Sequence, residues 1–402
     1  MWLAQPSRFA GLSKGRARIG LGLLVLLLLA TLTALATPSP APVSGDPARR
    51  ADDQTDVMLY ESIVDGVRHG GNYYSVAAEQ LRQGDYPMKP FVTFRLPTLA
   101  VVQAMLPGWA VIGLLYALAA GTMLAWYVRL RPAFARAPPL IVAMVLLAGG
   151  MGAFVQSDLA AFHEVWAGLL IALSLAVRRP GHWVAAAGIG ALAMLIRETA
   201  ALYVAVMFVL AWLEGDRKEA VGWAAGVGLL AIVVAAHAYA VAQVVRPLDL
   251  ASPGWAGMLG FGFFVKAMTL STALRLAPAV LSALLMGLTL FGWAAWKDPT
   301  GIRALATFAV YAALIGLFGR VDTFYWGLMV APAILIGLAF VPDGLRDLMN
   351  NIMVRDAAPV GALPAAALPE IDVVRTGGAW RYAAVALLSA AVVAAATWLV
   401  LH

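Results

Sequence analysis

Long apolar runs, each closed by a short polar or basic break, repeat along almost the whole chain. A hydrocarbon layer about 30 Å thick is crossed by about 20 apolar helical residues, within a range of about 17 to 25. That ruler predicts eleven crossings, near residues 19–36, 98–127, 138–155, 160–177, 182–196, 200–213, 220–245, 277–296, 303–318, 323–341 and 382–400. The expected class is an all-α polytopic membrane protein forming one transmembrane domain over residues 1–402.

Residues 182–213 admit two readings. As one helix their 32 positions would extend about 48 Å, too long for an ordinary crossing. As a hairpin they make two short helices joined by Arg197-Glu198-Thr199. The positive-inside tendency decides for the hairpin, because Arg8, Lys14, Arg16 and Arg18 put the amino terminus in the cytoplasm and most later basic residues then fall on the same side. The turn is expected on the outer face, recessed between helices that fall short of the full thickness. The first segment ends in Ala34-Leu35-Ala36, which resembles a secretory cleavage site. Its eighteen residues (19–36) suffice to span, and it is expected to stay as an anchor.

Three stretches break the pattern. Residues 37–97 form the first expected external loop: a Pro-rich spacer, then Tyr60, Ile63, Val64 and Val67 on one face of an amphipathic helix over 56–69 that Gly70 and Gly71 end. A short helix near 75–83 and the run Tyr86-Pro87-Met88-Lys89-Pro90 follow. Residues 247–276 read as an external interfacial loop, and 342–379 as an Ala/Pro-rich cytoplasmic linker.

Composition agrees with the pattern: 62% of residues are hydrophobic and 12% charged, with a mean hydropathy of +0.82. The net charge of +6 does not indicate nucleic acid, since the basic residues flank membrane segments rather than forming one patch. Cysteine is absent, which removes thiolate nucleophiles and cysteine-ligated metals. His163-Glu164 has no second histidine at i+4, so it is not a zinc motif. No cofactor is expected. Asp52 and Asp53 alone would make a poor divalent cage.

With this topology, polar side chains gather at the external helix ends: Asp56, Asp158, His163, Glu164, Arg197, Glu198 and Arg320, with Tyr60, Lys89, Arg95 and Lys266 from the loops. Ionisable groups at mid-membrane cost about 2.5–3.5 kcal/mol each, so they tend to be functional or paired. Each also has a plainer explanation. Asp56, Glu164 and Glu198 open helices, where the dipole stabilises an acid, and Arg197 ends one. His237, isolated in an apolar span, reads as a core residue.

The order Asp56-x-x-x-Tyr60, the glycine pair 70–71, then Tyr86-Pro87 and Lys89-Pro90-Phe91 resembles the first external loop of the GT-C superfamily. These are integral-membrane glycosyltransferases that use polyprenyl-phosphate sugars, and the likeness is greatest to the branch of aminoarabinose transferases and protein O-mannosyltransferases. Val57 stands where that branch has a second acid, and Phe91 where it has a second proline. The resemblance implies an inverting transfer on the outer face of a plasma (inner) membrane. The donor would be a polyprenyl-phosphate sugar and the acceptor a lipid, glycan or protein. Asp56 would be the base, Asp158 the second acidic site, and Lys89 would face the donor phosphate. Arg197, Arg320 and Arg95 are further candidates for the phosphate charge. The rival expectations are a lipid or glycan transporter, which would place charge pairs near the midplane, and a ligase or polymerase of glycans, which would carry its large external loop late in the chain.

Overall fold

The computed structural model describes residues 1–39 and 55–353. Fifteen α-helices are named among them: α1 (Lys14–Thr31), α2 (Thr55–Arg68), α3 (Tyr73–Gln83), α4 (Thr98–Met105), α5 (Gly108–Leu130), α6 (Ala137–Gly150), α7 (His163–Val177), α8 (Val184–Ile196), α9 (Ala201–Glu214), α10 (Arg217–Val244), α11 (Gly260–Ser271), α12 (Ala279–Ala295), α13 (Pro299–Phe318), α14 (Ala331–Ile334) and α15 (Val341–Met353). Short 3-10 turns fill many joints, and the only extended pairing among the described residues is three isolated bridges.

Four helical stretches are long and apolar enough to cross a membrane: Lys14–Leu35, Gly108–Ala133, Arg217–Val244 and Pro299–Phe318. The pair Val321–Met329 and Ala331–Met353, bent by 64°, makes a fifth if taken as one span. This is the length pattern of a helical membrane protein. At four other expected crossings the helices have 13 to 17 residues, below or at the lower limit for a straight span, and α9 has 14. The expected segment 382–400 lies outside the described residues.

The expected crossing 98–127 is corrected by Pro107. Leu106 is extended (φ −110°, ψ 145°), as the residue before proline tends to be, so α4 stays with the first-loop helices and the long helix begins at Gly108. At 182–213 the chain does form two antiparallel helices. Arg197 ends α8 beside Glu164 at the start of α7, while Glu214 at the far end of α9 returns to within 3.7 Å of Arg178, just past the end of α7.

Residues 247–276 are not one irregular loop. Phe263, Phe264, Val265, Ala267 and Met268 are fully buried along α11, and that burial outweighs the low helix propensity of the glycines in the stretch. Residues 321–340 likewise depart from the expected straight helix, running as 3-10 turns around α14. Glycines let backbone meet backbone there: a Cβ on Gly292 would strike the Gly337 carbonyl, and one on Gly168 the Leu328 carbonyl. The start of the expected linker is ordered as α15, whose Asp343 accepts from the Trp2 and Leu3 amides at 2.8 and 2.5 Å and whose Asp347 accepts from the Ser7 amide at 2.9 Å. The rest of 342–379 is outside the described residues.

The first-loop helices have a small core of their own. Ile63 and Val64 pack with Tyr73, Ala77, Leu81 and Phe94, and Tyr60 and Val67 border them. Gly70 ends α2 at φ +91°, in the left-handed region that glycine adopts freely, and Asn72 caps α3 by accepting from the Tyr74 and Ser75 amides. Arg82 clamps this platform to the end of α10 with two 2.8 Å bonds to Asp249.

Candidate active site

A cavity of about 1570 Å³ opens at one end of the bundle, between the first-loop platform and the ends of the membrane helices. Asp56, in the first turn of α2, lies in its wall half-buried, and its Oδ1 accepts from the Tyr86 hydroxyl at 3.0 Å. One turn further, the Tyr60 hydroxyl accepts from Arg95 Nε at 3.1 Å. The Tyr73 hydroxyl donates to the Arg95 carbonyl at 2.7 Å, so platform side chains hold Arg95 at both its backbone and its side chain.

Arg95 also faces the α8–α9 hairpin. Its guanidinium nitrogens lie 3.9 Å from Glu164 Oε1 and 3.9 Å from Glu198 Oε1. Arg197 donates from Nε to Glu164 Oε1 at 2.7 Å and from a terminal nitrogen to Glu198 Oε1. Two guanidiniums and two carboxylates therefore form a neutral quartet, with the second oxygens of Glu164 and Glu198 buried and unpartnered. Burial opposes the Arg95 charge, but Tyr60, Glu164 and Glu198 outweigh it and hold its guanidinium well above the ordinary arginine value. Burial also pushes the Tyr60 hydroxyl up, against the pull of Arg95. Both groups thus keep their protons at every ordinary pH.

The other cavity cations differ in what they touch. Arg320 makes a two-pronged pair with Asp322 at 3.1 and 2.6 Å. Arg275, exposed on the turn after α11, lines the cavity without a side-chain partner among the described residues. Asp158 stands exposed in the wall, accepting from Ser157 Oγ at 3.1 Å.

Of the residues picked out by sequence, Asp56, Tyr60, Arg95, Asp158, Arg197, Glu198 and Arg320 share the cavity wall. Glu164 lies buried beneath it. Three are placed elsewhere. Lys89 Nζ donates to the Pro247 carbonyl at 2.9 Å, and its backbone pairs with Leu250 and Ser252. Lys266 is turned to the Thr37 carbonyl and to Ser39 Oγ. His163 is buried with both ring nitrogens unpartnered, edge-on to Tyr60 at 4.9 Å between centroids. Asp52 and Asp53 lie outside the described residues. No group of three His, Asp or Glu side chains converges on a metal position among the described residues.

Sequence reasoning passed over Arg275, Tyr325, Ser271 and Trp326, which also line the cavity. The adjacency of Arg275 to the buried aromatic run of α11 was the one available signal. Comparison with known proteins gives no match to a family model, a curated protein or a solved structure.

Proposed function

We propose that the chain is a GT-C-like membrane glycosyltransferase that moves one sugar from a polyprenyl-phosphate carrier to an acceptor hydroxyl, with inversion at the sugar carbon. The observation that carries this reading is the cavity itself. It gathers Asp56 from the first loop, Arg197 and Glu198 from the hairpin, Arg275 from the turn after α11 and Arg320 from the turn after α13, at one end of an apolar helical bundle.

In this reading the acceptor oxygen attacks the anomeric carbon and its proton passes to the Asp56 carboxylate. The bond from that carbon to the phosphate oxygen breaks, and its electron pair leaves with the phosphate. Arg275, which has no carboxylate to satisfy among the described residues, meets the developing charge, and Arg320 can join it by exchanging Asp322 for the phosphate. A cation about 4 Å from a phosphate oxygen is worth roughly 4 kcal/mol at an effective dielectric near 20, or about three decades of rate when realised in the transition state. Arg95 and Arg197 serve a different end here. Their charge is balanced by Glu164 and Glu198, so they position the floor of the cavity and Tyr60 rather than the phosphate. Lys89, hydrogen-bonded to the Pro247 carbonyl, ties the loop to the end of α10 and is withdrawn from the phosphate role.

The test is a purified, reconstituted protein given a labelled sugar on a polyprenyl phosphate. Release of free polyprenyl phosphate with the label in an acceptor supports the reading. Movement of intact labelled lipid across the bilayer with no bond broken would replace it with transport.

A further inference from the structure

The polar groups of the cavity separate into those the protein already satisfies and those it leaves for something else. Arg95, Arg197 and Arg320 are matched by Glu164, Glu198 and Asp322. Asp56, Glu61, Asp85 and Asp158 line the same space with no cationic partner among the described residues. The lining holds six Asp or Glu against four Arg, an inversion of the chain's net +6. Part of this follows from the inside-outside bias, which draws Lys and Arg to the opposite face and leaves acids nearly indifferent; the further observation is that four acids without a cationic partner among the described residues surround one cavity.

A second set of groups points to the same kind of ligand from the opposite chemistry. Ser271 Oγ and Trp326 Nε1 are lining residues only 5% and 9% exposed, and neither atom has a hydrogen-bond partner. Buried polar atoms are nearly always satisfied, and an indole N–H can only donate. Both atoms are buried in the wall itself, where an acceptor reaching them from the cavity would satisfy them, while ionised carboxylates accept only and require donors. A hydroxyl does both. Trp255 and Tyr325 add aromatic faces to the wall.

We infer that the acceptor is a glycan, uncharged or amine-bearing, with no phosphate or carboxylate beside the reacting hydroxyl. The inference rests on the transferase reading of this cavity. A polyol matches both the unpaired carboxylates and the orphaned donors, and its rings stack on the aromatic faces. An anionic acceptor would meet four unpaired carboxylates and compete with the donor phosphate for Arg275. A Ser/Thr peptide would offer one hydroxyl where the wall provides for several.

The full chain in nanodiscs, without any sugar donor, is applied to a printed array of neutral, amine-bearing, phosphorylated and carboxylated glycans with Ser/Thr peptides alongside. The expected result is binding confined to neutral and amine-bearing glycans. Ser271→Ala, which deletes only the hydroxyl, should weaken that binding about fivefold, near the value of one hydrogen bond. Binding confined to acidic glycans or peptides, or to none of the spots, overturns the inference. The array needs no turnover, so its outcome is separable from the transferase reading: glycan binding by a protein that cleaves no lipid-linked sugar would keep the ligand class and remove the reaction.

Discussion

Glu164 and Arg197 meet through a 2.7 Å bond from Nε to Oε1, joining the second residue of α7 to the residue that closes α8. The side chains are 1% and 3% exposed, so this pair fixes the recessed hairpin turn as the cavity floor. Removing one member of a buried pair leaves a charge with an incomplete partner and costs about 3–5 kcal/mol. Arg197→Met should therefore destabilise the purified protein in denaturant unfolding, and Arg197→Met with Glu164→Gln should recover part of the loss. Equal stability of the single variant and the wild type would show that Arg95 alone satisfies Glu164.

A second expectation concerns the phosphate cations. Arg275→Gln should lower kcat/KM by about two to three decades, the scale of one lost transition-state ion contact, while Lys89→Gln should change it less than about threefold. A large Lys89 effect with a silent Arg275 would restore the role that the loop resemblance implied for Lys89.

Part of this was legible in the sequence. The i, i+3, i+4, i+7 spacing of Tyr60, Ile63, Val64 and Val67 gives α2, Gly70 gives its end, and charge parity gives the hairpin, since each depends on neighbours in the chain. The place of Lys89 was not legible, because what it touches, the Pro247 carbonyl, is 158 positions away. The 3-10 path through 321–340 was illegible for a similar reason: it is set by Gly168 and Gly292 on other helices, and local periodicity carries no trace of them.

The close backbone contacts give a stability prediction. A Cβ at Gly292 would meet the Gly337 backbone first, which no side-chain rotation clears, and Val341 Cγ2 next. Gly292→Ala should cost about 1–3 kcal/mol by overpacking, whereas Gly188→Ala, with nothing within 4 Å of its Cβ, should be neutral or stabilising through higher helix propensity. Melting curves of the two variants in one detergent distinguish them.

The platform clamp predicts a pH dependence. Hydrogen bonding to Arg82 pulls the Asp249 carboxyl down to about 2. A lowered folded value means that the stabilisation is present above the ordinary carboxylate range and disappears as pH falls through about 2. Asp249→Asn should therefore raise hydrogen exchange in residues 84–90 relative to wild type at pH 5 to 7, and the difference should shrink only towards pH 2. A difference that vanishes already near pH 4 would mean the clamp is open in solution.

The central claim is that Asp56 takes the acceptor proton. Asn keeps the size and the bond from Tyr86 but is no base at neutral pH. Sugar transfer from a polyprenyl-phosphate donor, measured for Asp56→Asn beside wild type at equal membrane insertion, should fall at least about a hundredfold. Turnover within a factor of about two of wild type would contradict it.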